Sequence, residues 1–63
     1  MDNNEIYFEI IPLGNVVKAI AIDAKTGIEA VVMGPNGTPV SVLKNNALKK
    51  LEYLKNKKKN ESD

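Results

Sequence analysis

Two turn sequences constrain this chain more than any other feature, because together they decide which side of a sheet each apolar residue occupies. Gly14-Asn15 and residues 24–27 separate three segments of strand chemistry: IYFEII, VVKAIAID and IEAVVM. Gly-Asn suits a two-residue primed turn that reverses the chain tightly. In DAKTG, Asp23 can accept local backbone hydrogen bonds and Gly27 can take a positive φ. A two-residue loop places Ile10 opposite Ala19 and Phe8 opposite Ala21. A four-residue loop places Ala21 opposite Ala30 and Ala19 opposite Val32. Directly opposed residues share a face, and the two hairpins sort the residues of the middle strand identically.

One face then holds Ile6, Phe8, Ile10, Val17, Ala19, Ala21, Ile28, Ala30 and Val32. The other holds Tyr7, Glu9, Ile11, Val16, Lys18, Ile20, Ile22, Glu29, Val31 and Met33, and it carries every strand charge except Asp23 at the turn. The uncharged, alanine-rich face is the expected core, since small side chains let a helix axis approach closely. That helix follows GPNGTP, with Thr38 expected as its N-cap and Pro39 at its first position. Val40, Leu43, Ala47, Leu51 and Leu54 recur at three- and four-residue steps, one face of a helix. The expected fold is α+β: a three-stranded antiparallel β-meander, order 1-2-3, with one C-terminal α-helix packed on one face (βββα). Its expected organisation is a disordered N-terminus at 1–4, a single domain at 5–55, and a charged, frayed tail at 56–63.

A 63-residue chain has room for one thin core. It contains no Cys and no His, which removes disulfides, the usual structural zinc sites, thiol nucleophiles and the commonest general base at neutral pH. Roughly a dozen buried apolar side chains, at about 1.5–3 kcal/mol each, are then needed to offset chain entropy. Chains this short are often stabilised by self-association. The polar, acidic MDNNE start and the short apolar runs match neither a signal peptide nor a membrane span, so a cytoplasmic protein is expected.

The stretch GNVVKAIAIDAKTGIEAVVMGP, followed by ALKKLEYL, resembles a family of short, uncharacterised alphaproteobacterial proteins, a domain of unknown function. Its pattern runs G-N-x-V-K-V, D-x-x-T-G-x-E, G-P and K-L-E-Y. Gly14, Asn15, Val17, Lys18, Asp23, Thr26, Gly27, Glu29, Gly34, Pro35, Lys50, Leu51, Glu52 and Tyr53 occupy those places. Ala19 departs from it, standing where a larger β-branched residue is expected, and puts no motif in doubt. The family has no assigned activity, so the resemblance supports a fold and leaves function open.

Candidate chemistry is sparse. Glu9 and Glu29 share a face, but they lie on different outer strands with Ile20 and Ile22 between them and have no His or Cys partner. Solvated glutamates, with Glu9 diagonal to Lys18, are the simpler reading, and no enzyme is expected. GPNGTP lacks the Lys-Ser/Thr ending of a phosphate-binding loop and reads as an ordinary strand-to-helix turn. No cofactor, metal site, membrane contact or small-molecule substrate is indicated.

Two surfaces remain. Tyr7, Ile11, Lys18, Ile20, Ile22, Val31 and Met33 form the candidate interface on the outer sheet face, apart from Lys18 an apolar patch of the kind that marks contact surfaces. The third strand is also an edge open to strand addition, since no Pro or inward charge blocks it. The second surface is basic: residues 44–60 carry seven Lys against one Glu, whereas residues 1–43 carry two Lys against five acids. Lys49, Lys50, Lys55, Lys57, Lys58 and Lys59 are candidate phosphate contacts for an alternative role as an accessory nucleic-acid- or ribosome-associated protein. Such binding would be weak, salt-sensitive and largely sequence-blind. The primary expectation is a small non-enzymatic interaction module that is a homo-oligomer or docks on a larger protein partner.

Overall fold

A computed structural model describes residues 5–61, with helix side chains described through residue 57. The readings at residues 1–4 and 62–63, and those on the side chains of Lys58 and Lys59, lie outside the described residues. Strands β1 (Ile6–Leu13), β2 (Val16–Asp23) and β3 (Glu29–Pro35) precede helix α1 (Val40–Glu61). The strands form one antiparallel sheet in the order β1-β2-β3, and α1 packs on one face of it, a βββα fold.

The register is the one the turns dictate: Phe8 opposes Ala21, Ile10 opposes Ala19, and on the other side Ala21 opposes Ala30 and Ala19 opposes Val32. Gly14 has φ 67° while, among the described residues, no non-glycine residue has positive φ, so the Gly14-Asn15 turn is the primed type that needs glycine at its first central position. β1 and β3 each run two residues further than their apolar pattern, to Leu13 and Pro35.

Turn hydrogen bonds set the phase of both ladders. Asp23 N donates to Ile28 O at 2.9 Å and Asn36 N to Asn15 O at 2.8 Å, so hydrogen-bonded pairs close both ends of the β2–β3 ladder. Alternation then makes Ile20–Val31 and Lys18–Met33 non-hydrogen-bonded pairs, the type whose side chains stand closest. Ala24 N donates to Glu5 O at 3.1 Å at one end of the β1–β2 ladder. By the same alternation, Ile6, Phe8, Ile10 and Pro12 aim their main-chain N and O atoms away from β2, at the free edge of β1. Pro12 therefore removes no bond from the ladder, which is why a strand can hold it.

Helix α1 lies over β2 and β3. Its Leu43, Ala47 and Leu51 meet Val17, Ala19, Ala21 and Ala30, all buried, with Ile6, Phe8, Ile10, Ile28, Val32 and Leu54 partly buried around them. Among the described residues this core has seven buried apolar side chains, of which Leu43 and Leu51 are the large fully buried ones. Alanines admit the helix but bury little area. At Gly34 the fit is close enough that a Cβ would lie 3.1 Å from both Leu43 Cδ2 and Thr38 Oγ1.

Two expectations at the helix start are corrected. Val40 is 47% exposed: helical phase points it at the sheet, but it stands one turn before Leu43, which already packs on the end of β3 at Gly34. Thr38 does not cap the helix with its oxygen. Its hydroxyl donates to Pro35 O at 2.7 Å, and Pro39 O accepts the first helical bond from Leu43 N at 3.2 Å, so the helix begins one residue later. At the other end, α1 continues without a break past the boundary read at residue 55.

Candidate interaction surface

The outer face of the sheet reads as three rows across the strands. Tyr7, Ile22 and Glu29 form one row; Glu9, Ile20 and Val31 the next; Ile11, Lys18 and Met33 the third. Tyr7 and Met33 are more than half exposed and Val31 is 39% exposed. Ile11, Lys18, Ile20 and Ile22 are half-buried by their neighbours alone. The sheet thus gathers all seven candidate interface residues onto one surface, with Ile20 at its centre.

The glutamates frame this surface and do not meet. Glu9 and Glu29 sit on opposite outer strands in adjacent rows, with Ile20 and Ile22 between them. The diagonal Glu9–Lys18 contact does not form within ion-pair distance; among the described residues the ion pair is Lys55–Asp23, at 3.3 Å. Tyr7 donates its hydroxyl to Glu5 Oε1 at 2.9 Å, and this bond to a carboxylate holds the phenol protonated, raising its pKa.

The DAKTG turn is a self-contained hydrogen-bond unit. Asp23 accepts from Lys25 N at 3.2 Å and from Thr26 Oγ1 at 2.9 Å, while Thr26 Oγ1 accepts from Ile28 N at 3.2 Å. The Thr26 hydroxyl bond, with smaller help from Lys25 N and Lys55, outweighs burial and lowers the Asp23 pKa. Asp23, Thr26 and Gly27, with φ 79°, therefore have a structural role in building the turn.

The lysines do not form one free patch. Lys50 Nζ donates to Val31 O at 2.9 Å, a carbonyl that the ladder phase aims at the free edge of β3. Lys55 is held by Asp23. At about 100° per residue, Lys50 and Lys57 project on one side of the helix, with Lys49 on the adjacent flank, while Lys55 points away from all three. The Lys50 contact also places a helix lysine against the free edge of β3, where a charged group on a main-chain carbonyl opposes strand addition.

Strand alternation and helical periodicity do not reveal one further feature. Because α1 sits over β2 and β3, the flank of β1 stays uncovered, leaving an open groove of about 540 Å³ lined by Phe8, Ser41, Val42, Lys44, Asn45 and Leu48. Lys44 Nζ lies 5.4 Å from the Phe8 ring centroid, within cation–π range. Among the described residues, no helix is long and apolar enough to cross a membrane.

A family model described as Domain of unknown function (DUF6898) matches residues 3–58. No curated protein and no solved structure matches the chain.

Proposed function

The chain belongs to the DUF6898 family, and we propose that it is a small non-enzymatic interaction module whose outer sheet face is buried against another protein surface, a second copy or a larger partner. The observation that carries this reading is the mismatch between the two faces. The inner face buries mostly alanine, with Leu43 and Leu51 its large fully buried side chains, while Tyr7, Val31 and Met33 stand exposed outside around Ile20 and Ile22. A domain this short gains little from such a core and has most to gain by covering its remaining aliphatic surface. The flanking Glu9, Lys18 and Glu29 would supply a polar rim around an apolar centre, the usual anatomy of a protein interface. The reading takes a cytoplasmic setting, supported by the polar MDNNE start and the short apolar runs, in a bacterium, which the family resemblance implies.

The test compares the wild-type chain with the double variant Ile20→Lys/Val31→Lys by light scattering across a concentration series and by capture on tagged protein. The expected result is a folded variant that loses the larger assembly or the captured partner. A wild-type chain that stays monomeric and captures nothing sinks the reading.

A further inference from the structure

The two edges of the sheet differ, and the difference points to a specific partner. On β3, Lys50 occupies the Val31 carbonyl at 2.9 Å, and Pro35 ends the strand without an N–H. On β1, the main-chain groups of Ile6, Phe8 and Ile10 aim at a free edge that α1 does not cover, beside the apolar groove at Phe8, Val42 and Leu48. We propose that β1 pairs antiparallel with β1 of a second copy, Phe8 opposite Phe8 across a two-fold axis, joining two sheets into one of six strands.

Charge and proline select this register. Residues 6, 8 and 10 point outward at the edge, so hydrogen-bonded pairs across it must join even-numbered residues. Shifting the pairing one step one way, with Phe8 opposite Ile10 of the second copy, sets Glu9 directly against its own copy. A step the other way, with Ile6 opposite Phe8, sets Glu5 against Glu9. Like charges directly opposite are destabilising. Moving a further step in the first direction puts Pro12 opposite Phe8, where it has no N–H to give. With Phe8 opposite Phe8, no glutamate faces another: Tyr7 lies opposite Glu9, Glu5 opposite Ile11, and Ile6 opposite Ile10. Pro12 then stands just past the last bonded pair, as a natural end to the ladder. The axis brings the two half-buried Phe8 rings and the two grooves together on the helix side. On the opposite side it makes the two outer faces continuous, which doubles the surface assigned above to partner contact.

The pairing is read by cross-linking of exposed positions. The chain has no cysteine, and Tyr7 and Glu9 are exposed on the outer face. In the proposed register they form a non-hydrogen-bonded pair at a separation a disulfide can span. Tyr7→Cys and Glu9→Cys proteins, mixed under mild oxidation, should give a disulfide-linked heterodimer, whereas neither variant alone should link efficiently. Self-linking of Glu9→Cys as good as the mixture, or no linking in the mixture, overturns the proposal. A second measurement uses a chemically synthesised chain with the Ile10 amide N-methylated, which removes an outward N–H, keeps the core-packed side chain and removes no β1–β2 bond: its dissociation constant for the dimer should rise at least tenfold with the circular dichroism unchanged. Failure here is distinguishable from failure of the outer-face reading. If edge pairing holds, Ile20→Lys/Val31→Lys remains dimeric. If that variant is monomeric and the cysteine mixture does not link, edge pairing is wrong and the outer face stands.

Discussion

Lys55 Nζ lies 3.3 Å from Asp23 Oδ2, so the far end of the helix is tied to the turn that joins β2 and β3. Asp23 sits on the inner face, 3% exposed, at the position opposite Ile6. There it accepts bonds from its own turn and meets a charge from the helix, so one carboxylate joins local turn geometry to tertiary packing.

The pH dependence of stability should report this carboxylate. Its native pKa lies below the ordinary carboxylate value, chiefly through the Thr26 hydroxyl bond, so the folded state binds the proton less readily than the unfolded chain. The contribution is therefore complete above the unfolded value, about 4, and is lost as pH falls through the lower native value. Urea unfolding at pH 7, 5 and 3 should show Asp23→Asn less stable than wild type at pH 7, with the gap closing toward pH 3. A constant gap across the three pH values would show that the loss is not electrostatic.

Core truncations should separate depth from helical phase. Leu51 is fully buried, and Leu51→Ala should cost about 2–5 kcal/mol, enough to abolish a cooperative thermal transition in a domain this small. Val40 lies on the same helical stripe but is 47% exposed, so Val40→Ala should change stability by no more than about 0.5 kcal/mol. Comparable losses from the two variants would mean that the first helical turn packs on the sheet.

That contrast shows what sequence reasoning reaches. Turn length and alternation determine register and face, which is why the pairings of Phe8, Ala19, Ala21 and Ala30 were legible. Helical periodicity gives the angle at which Val40 points, but not how far the sheet extends beneath it. Nor does it give the lateral position of the helix. The placement of α1 over β2 and β3 decides that Lys50 reaches the β3 edge, that Lys55 reaches Asp23, and that a groove opens beside Phe8. The outer face was readable as a set of residues because strand alternation alone assembles it.

Gly34 tests how closely the connection and helix pack on β3. A methyl group there would stand 3.1 Å from Leu43 Cδ2 and from Thr38 Oγ1. Leu43 is 2% exposed and has no room to retreat, and Thr38 is fixed by its bond to Pro35 O. Gly34→Ala should therefore cost about 1–3 kcal/mol by overpacking, measured by chemical denaturation. A stability equal to or above wild type would show that the connection can move away from β3.

Lys50 should protect solubility more than stability. Its ammonium group spends its contact on the Val31 carbonyl at the β3 edge, where an exposed pair of this kind adds little to folding. Lys50→Ala should thus shift the unfolding free energy by no more than about 0.5 kcal/mol. It should nevertheless free the Val31 carbonyl on a strand whose outer side chains, Val31 and Met33, are apolar and exposed, a template for edge-to-edge growth. Turbidity and thioflavin fluorescence at matched concentration should rise sooner for Lys50→Ala than for wild type. Lys49→Ala is the control, because it removes the same charge from an exposed helix position with no contact to the edge. Equal aggregation of the two lysine variants would assign the effect to net charge and remove the guarding role from Lys50.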